Sequence, residues 1–323
     1  MKWVIAVILL MFFTACESLP ATQEVDATPT EQEILTPSET PLSQQGCKKI
    51  AMVLTDGANS DIYTICPDGS ELVNLTDQWL ADFDPAWSPD GKRIAFATLR
   101  SGNASHIYIM DADGKFPQRL TEDYENDRPF WLPNGHEIAF RTYDGGSLWW
   151  WRIFDLDTYQ VTDLSSPTED YFYPAQAWSP DGQYLAYMSL VEQEARNDGS
   201  SQIHVKNLST SIDTALTNDI WANISPFWSK DSQRLGFFSE RDGIYDLFAL
   251  YVINLDGSGL KRVTEPEFSV NVVGTWSPDG QEIALGNSAA MQNIYIVKVE
   301  TGEVRKLLEL PDEVSASSPA WQP

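Results

Sequence analysis

One pentapeptide recurs along the chain at nearly even spacing, and it constrains the fold more than any other feature. Trp87-Ser-Pro-Asp-Gly91 returns as Trp131-Leu-Pro-Asn-Gly135, Trp178-Ser-Pro-Asp-Gly182, Trp228-Ser-Lys-Asp-Ser232 and Trp276-Ser-Pro-Asp-Gly280. Trp321-Gln-Pro323 falls in phase with a sixth copy. The tryptophans are 44, 47, 50, 48 and 45 residues apart. A period of that length marks propeller blades of four antiparallel strands each. The pentapeptide reads as the turn between the first two strands of a blade. Proline presets the backbone at the start of the turn, Asp bonds backbone N–H groups two residues on, and Gly takes a positive φ. Each tryptophan is expected to pack between neighbouring blades.

The segments between the tryptophans supply the other strands. A β-rich run follows each turn, as in Ile94-Ala-Phe-Ala-Thr98 and Leu235-Gly-Phe-Phe-Ser239. A second run follows it, as in Ile107-Tyr-Ile-Met110 and Ile294-Tyr-Ile-Val297. Turn signals such as Asp113-Gly114 then lead to a short strand ending near Leu120-Thr121. Residues 48–76 hold strands two, three and four of a blade and lack the first. Ser318-Pro-Ala-Trp321 is a first strand with nothing after it. The expected fold is therefore all-β: a six-bladed propeller closed by the C-terminal strand, which completes the N-terminal blade and leaves no open sheet edge.

Residues 85–121 carry a family resemblance almost throughout. Pro85, Trp87–Gly91, Ile94–Phe96, Ile107–Gly114 and Arg119–Thr121 resemble the TolB-type β-propeller repeat, and the likeness extends at varying strength over 48–323. The resemblance implies a non-catalytic propeller outside the cytoplasm that binds a protein or other ligand at one face. TolB carries an α/β domain before its propeller, whereas a tether is expected here, so the expectation is a TolB-like protein that is not TolB. Similar repeats form the gating propeller of prolyl oligopeptidase-type hydrolases. Their Gly-x-Ser-x-Gly nucleophile turn is absent from this sequence.

The first 46 residues read as an export and anchoring segment. Trp3 to Phe13 is an apolar stretch of eleven residues after Lys2. That suits a signal-peptide core and is too short to span a bilayer. Thr14-Ala15-Cys16 resembles the end of a bacterial lipobox, with Phe13 where leucine is usual. The expectation is a signal peptide over 1–15, lipidation of Cys16, a disordered Thr/Pro/Glu-rich tether over 16–46 and the propeller over 47–323. The protein is then an exported bacterial lipoprotein, periplasmic or on the outer cell surface, held to the membrane by its lipid alone. Cys47 and Cys66 flank one hairpin and are expected to form a disulfide. A register that sets Met52 opposite Asp61 sets Cys47 opposite Cys66.

Charge narrows the partners. The formal net charge is −26, of which −21 falls on residues 47–323. Such a surface repels phosphate backbones, which argues against nucleic acid and leaves a protein or glycan partner for a monomer. The three histidines, His106, His136 and His204, show no metal-ligand spacing, and no catalytic set or cofactor motif is recognisable. The candidate binding site is the set of loops before each inner strand, which gather at one mouth of the central channel. Five of them pair an acid with an aromatic. The candidates are Trp79, Asp82 and Asp84 in the first loop and Tyr124, Asp127 and Arg128 in the second. Tyr171 and Tyr173 follow in the third, Trp221 in the fourth and Phe268 in the fifth. Aromatics offer rigid apolar contact area, and acids beside them orient a cation, a basic peptide or a sugar hydroxyl. The expected function is a non-catalytic binding module. The alternatives are a propeller hydrolase or lyase acting on carbohydrate at the same mouth, and a structural envelope protein.

Overall fold

The structure, a computed structural model, describes residues 46–57, 59–102, 104–146, 148–164, 177–190, 200–242, 247–266, 272–287 and 293–323. Cys16 and the expected signal peptide and tether lie outside the described residues. Gly46–Pro323 forms one compact unit. Its strands make six four-stranded antiparallel sheets, the six blades of a propeller. In blade 2 the strands run outward in chain order: Asp82–Trp87, Arg93–Thr98, His106–Asp111 and Gln118–Arg119. Blades 3 to 6 repeat this order. In blade 1 the inner strand is Val314–Trp321, which pairs with Ile50–Asp56, so the chain ends close the ring as the sequence implies.

The pentapeptide does what its chemistry suggests. Ser88 Oγ donates to Asp90 Oδ1 at 2.7 Å, Lys92 N–H donates to the same oxygen at 3.1 Å, and Arg93 N–H donates to Ser88 Oγ at 2.9 Å. The same pattern recurs at Ser179–Tyr184, Ser229–Arg234 and Ser277–Glu282. The fifth position has φ of 67° at Gly91 and 59° at Ser232, the left-handed region that favours glycine.

The tryptophans join blade to blade. Arg93 of blade 2 stacks its guanidinium 4.7 Å from the ring of Trp131 in blade 3 and donates to Gly135 O at 3.4 Å. Arg234 of blade 5 repeats this on Trp276 (4.6 Å) and Gly280 O (3.1 Å) in blade 6. Tyr184 of blade 4 takes the same place against Trp228, with ring centroids 6.0 Å apart. Between blades 1 and 2, Trp87 Nε1 donates to Ala320 O at 3.0 Å and Gln322 Nε2 donates to Gly91 O at 2.9 Å. Apolar clusters fill the gaps between sheets, so the core is a ring of interfaces.

Among the described residues, four inner strands carry the same irregularity. Asp84, Arg128, Ser225 and Ser318 each precede a proline, have φ of 52°, 51°, 51° and 49°, and sit at a bulge in the pairing with the second strand. Proline is tolerated here because the inner strand is an edge facing the channel. The bulge turns the left-handed residue toward the channel. Blade 6 has Gly274 instead. A Cβ there, or on Gly236, would lie 2.4 Å from the Phe227 ring, which the two glycines sandwich.

Cys47 and Cys66 form a disulfide with Cα atoms 5.7 Å apart. The register that led to this pairing is off by two residues: Met52 faces Tyr63, and Asp61 faces Leu54. Cys66 has already entered a turn, its N–H bonded to Ser70 O, and Cys47 lies ahead of its strand. The bond therefore links two strand ends and is not a cross-strand pair.

The tryptophans separate into framework and surface. Trp321 is 3% exposed, and Trp321→Ala is expected to cost about 3–5 kcal/mol of unfolding free energy. Trp79 is 85% exposed, and Trp79→Ala should change stability by no more than about 0.5 kcal/mol. Urea unfolding of residues 46–323 carrying either substitution checks the contrast.

Candidate functional site

The mouth loops begin at a repeated anchor. Thr76, Thr121, Thr217 and Thr264 end the outer strands. Each hydroxyl accepts a backbone N–H of the third strand, from Ile62, Ile107, Ile203 and Leu250, at 2.9–3.0 Å. The chain then crosses the face to the inner strand of the next blade. The loops 77–81, 122–124 and 218–222 are described. Tyr171, Tyr173 and Phe268 lie outside the described residues.

Most acids of this face are already engaged. Asp82 is fully buried, and its Oδ2 accepts from Arg100 at 2.7 Å. Arg100 also bonds Thr98 Oγ1 at 3.1 Å and lies over the rings of Phe96 and Tyr108. Blade 5 repeats this: Arg241 donates to Asp219 and Asn223, both at 2.9 Å, bonds Ser239 and covers Phe237 and Tyr251. Asp127 pairs through both oxygens with Arg141, whose guanidinium lies 4.0 Å from the Trp149 ring. Asp123 pairs with Arg152 at 3.1 Å, and Glu265 with Arg262 at 2.9 Å. These carboxylates fix loops and strand ends.

Several apolar side chains of the same loops face solvent. Trp79 is almost fully exposed, and Tyr124 and Ile220 are each 48% exposed. Tyr124 is held from behind, its ring edge-on to Trp150 at 5.3 Å with Arg152 5.7 Å away. Trp221 is half-buried, and its backbone N–H donates to Asp219 Oδ1 at 3.0 Å. In the tryptophan run, Trp150 is buried. Trp149 and Trp151 are half-buried, stacked on Tyr143 (4.4 Å) and edge-on to Trp178 (5.8 Å). The sequence reading missed exposed Phe116, Tyr159 and Ile212 on the opposite face, where one turn in each of blades 2 to 4 lifts an apolar side chain into solvent.

The channel itself holds a cavity of about 470 Å³. Among the described residues its charged lining residues are Asp84, Arg128 and Lys230. Asp84 Oδ2 accepts the Arg128 N–H at 3.3 Å, and Ser318 Oγ lies 3.5 Å from Asp84 Oδ1. Burial, and then the charge of Asp127, raise the Asp84 carboxyl above the usual range. Burial, and then Arg141, lower Arg128. Asp84 and Arg128 therefore come together in the channel wall with the charge of Asp127 close behind them, while Trp79, Tyr124 and Trp221 lie out on the face. His106 is buried and its imidazole is held low by desolvation. His136 lies on the surface, and His204 bonds Asp213 at 2.9 Å. Among the described residues the three histidines do not converge.

The family description "TolB beta propeller domain" matches residues 37–174 and 149–323. The chain belongs to the TolB β-propeller family. Dipeptidyl-peptidase 5 of Porphyromonas gingivalis is 26% identical over 309 residues, covering 80% of this chain and 45% of that protein. The Tol-Pal system protein TolB of Alcanivorax borkumensis is 34% identical over 89 residues, 28% of this chain and 19% of that one. The chain thus spans less than half the length of these curated relatives. TolB from Acinetobacter baumannii superposes with a TM-score of 0.69 at 19% identity, over 85% of this chain and 67% of that one. That likeness is one of fold.

Removing the counter-ion of Asp82 tests the assignment of the mouth acids. Arg100→Ala leaves a sealed carboxylate unpaired and should cost about 3–5 kcal/mol at pH 7. Burial already raises Asp82 above its unfolded value, against the hydrogen bonds of Thr98 and Arg100, and loss of Arg100 raises it further. The folded state then binds the proton more tightly than the unfolded state, so stability falls as pH rises through that window. The deficit measured by thermal unfolding should be smaller at pH 4 than at pH 7. An equal deficit at both would show that the charge is not its source.

Proposed function

We propose that this TolB-family propeller is an extracytoplasmic binding module whose loop face takes an exposed segment of a protein partner. The observation that carries this is Trp79, standing 85% exposed in a face whose neighbouring acids are tied to arginines. A rigid indole held out from a fixed scaffold loses little entropy on binding, and aromatic side chains dominate the energetics of such contacts. Tyr124 and Ile220 extend the apolar contact over the loops of other blades. The Cys47–Cys66 disulfide supports an oxidising location, and the export-like N-terminal sequence with Cys16 supports a lipid-anchored form. The rival reading is catalysis, favoured by the match of most of this chain to a relative named as a dipeptidyl-peptidase.

Affinity capture from cross-linked envelopes separates the two. The bait is the propeller, residues 46–323, with Trp79→Ala, Tyr124→Ala and Trp221→Ala combined in a folded control. The binding module should capture a specific protein that the control loses by tenfold or more. Capture indifferent to the three substitutions would remove this face as the site. Turnover of dipeptidyl or oligosaccharide substrates by the same preparation would favour the enzyme.

A further inference from the structure

Blade 5 departs from the repeat at two positions, Ser232 in place of glycine and Lys230 in place of proline, and the second is the one that reaches the channel. The third residue of the pentapeptide is proline at Pro89, Pro133, Pro180 and Pro278, and lysine at Lys230. The turn does not need the lysine. Ser229, Asp231, Gln233 and Arg234 make the same hydrogen bonds as their counterparts in blades 2, 4 and 6. The Lys230 side chain instead enters the central cavity, at the end opposite the mouth loops, because the inner strand Asn223–Trp228 runs from the face to this turn. Its Nζ reaches past blade 6 to donate to Trp321 O in blade 1 at 3.3 Å. Trp321 N–H donates to Thr275 Oγ1 at 3.3 Å. That bond uses a lone pair of the hydroxyl and not its proton. An ammonium and a hydroxyl donor are therefore gathered on the backbone of one residue.

The surrounding charges leave this cation uncompensated. Asp84 of blade 2 lies beside Arg128 of blade 3, with the Asp127–Arg141 pair behind them. The inner strands Asn223–Trp228, Val272–Trp276 and Val314–Trp321 bring no titratable side chain. Among the described residues no carboxylate faces Lys230. The described residues of the cavity lining carry a surplus positive charge within a propeller of net charge −21.

We propose that Lys230 and Thr275 form an anion subsite at the turn end of the channel, which takes a small monocarboxylate. One oxygen receives the Lys230 ammonium and the other the Thr275 hydroxyl. A cavity of about 470 Å³ admits a small molecule. A dianion would need a second cation, and the Arg128 charge already interacts with the carboxylates of Asp127 and Asp84. Desolvation lowers the Lys230 amine to about 8, so the charge that holds the anion develops as pH falls through that value. Binding therefore strengthens from alkaline to neutral pH, and a bound carboxylate raises the midpoint. The subsite does not rest on the loop-face reading, and the Trp79, Tyr124 and Trp221 substitutions should leave it intact.

The test is a pH titration of the purified full chain labelled with 13Cε-lysine, followed by NMR. Lys230→Pro, which restores the residue of the sister turns, identifies the Lys230 signal by its loss. Lys230→Met serves if the proline variant does not fold. In sodium chloride the Lys230 midpoint is expected near 8. In sodium acetate at equal ionic strength it is expected about one unit higher, a tenfold preference of acetate for the ammonium form. Thr275→Val should reduce that rise. A midpoint at the ordinary lysine value, or the same midpoint in both salts, overturns the proposal. A larger rise with inorganic phosphate than with acetate overturns the carboxylate assignment.

Discussion

The pairing of Val314–Trp321 with Ile50–Asp56 is the interaction on which the rest of the molecule depends. Without it blade 1 has no inner strand and the ring has an open edge. It brings together residues more than 250 positions apart, so its loop-closure entropy is met only by the many contacts that follow. Trp87 is then bonded to Ala320, and Gln322 to both Gly91 and Lys49. The channel is completed by the same event, since Ser318 and Trp321 belong to its wall.

Much of this architecture was legible because the repeat writes each physical role several times. A tryptophan, a serine-aspartate turn and a glycine in fixed order serve one geometry, and five copies, three of them complete, make the period unmistakable. The hairpin register was less legible for a physical reason. A slip of two residues keeps every side chain on its own face, so alternation cannot tell Met52 opposite Asp61 from Met52 opposite Tyr63. The mouth acids were legible as acids but not as partners. Asp82, Asp127 and Asp219 find arginines 14 to 22 residues away on an adjoining strand or loop, a match that only the folded pairing reveals. Lys230 was visible as the one lysine in a proline position. Its meaning depends on the channel that the turn borders.

The loop face and the channel divide the chemistry between them. On the face, arginines neutralise the acids and lock the loops, while Trp79, Tyr124 and Ile220 remain for contact. In the channel, low solvation acts on all three charged lining residues, raising Asp84 and lowering Arg128 and Lys230. Both sites depend on strands held in place by the closed ring.

Native-state hydrogen exchange on the chain tests that dependence most directly. If closure holds the ring together, the backbone amides of Ala51 and Val53, which face the C-terminal strand, exchange only through global unfolding. Their opening free energy then matches that of core amides such as Phe96 and Phe237. If blade 1 opens by itself, with a free energy well below the global value while blades 2 to 6 stay protected, closure is not the constraint on which the structure rests.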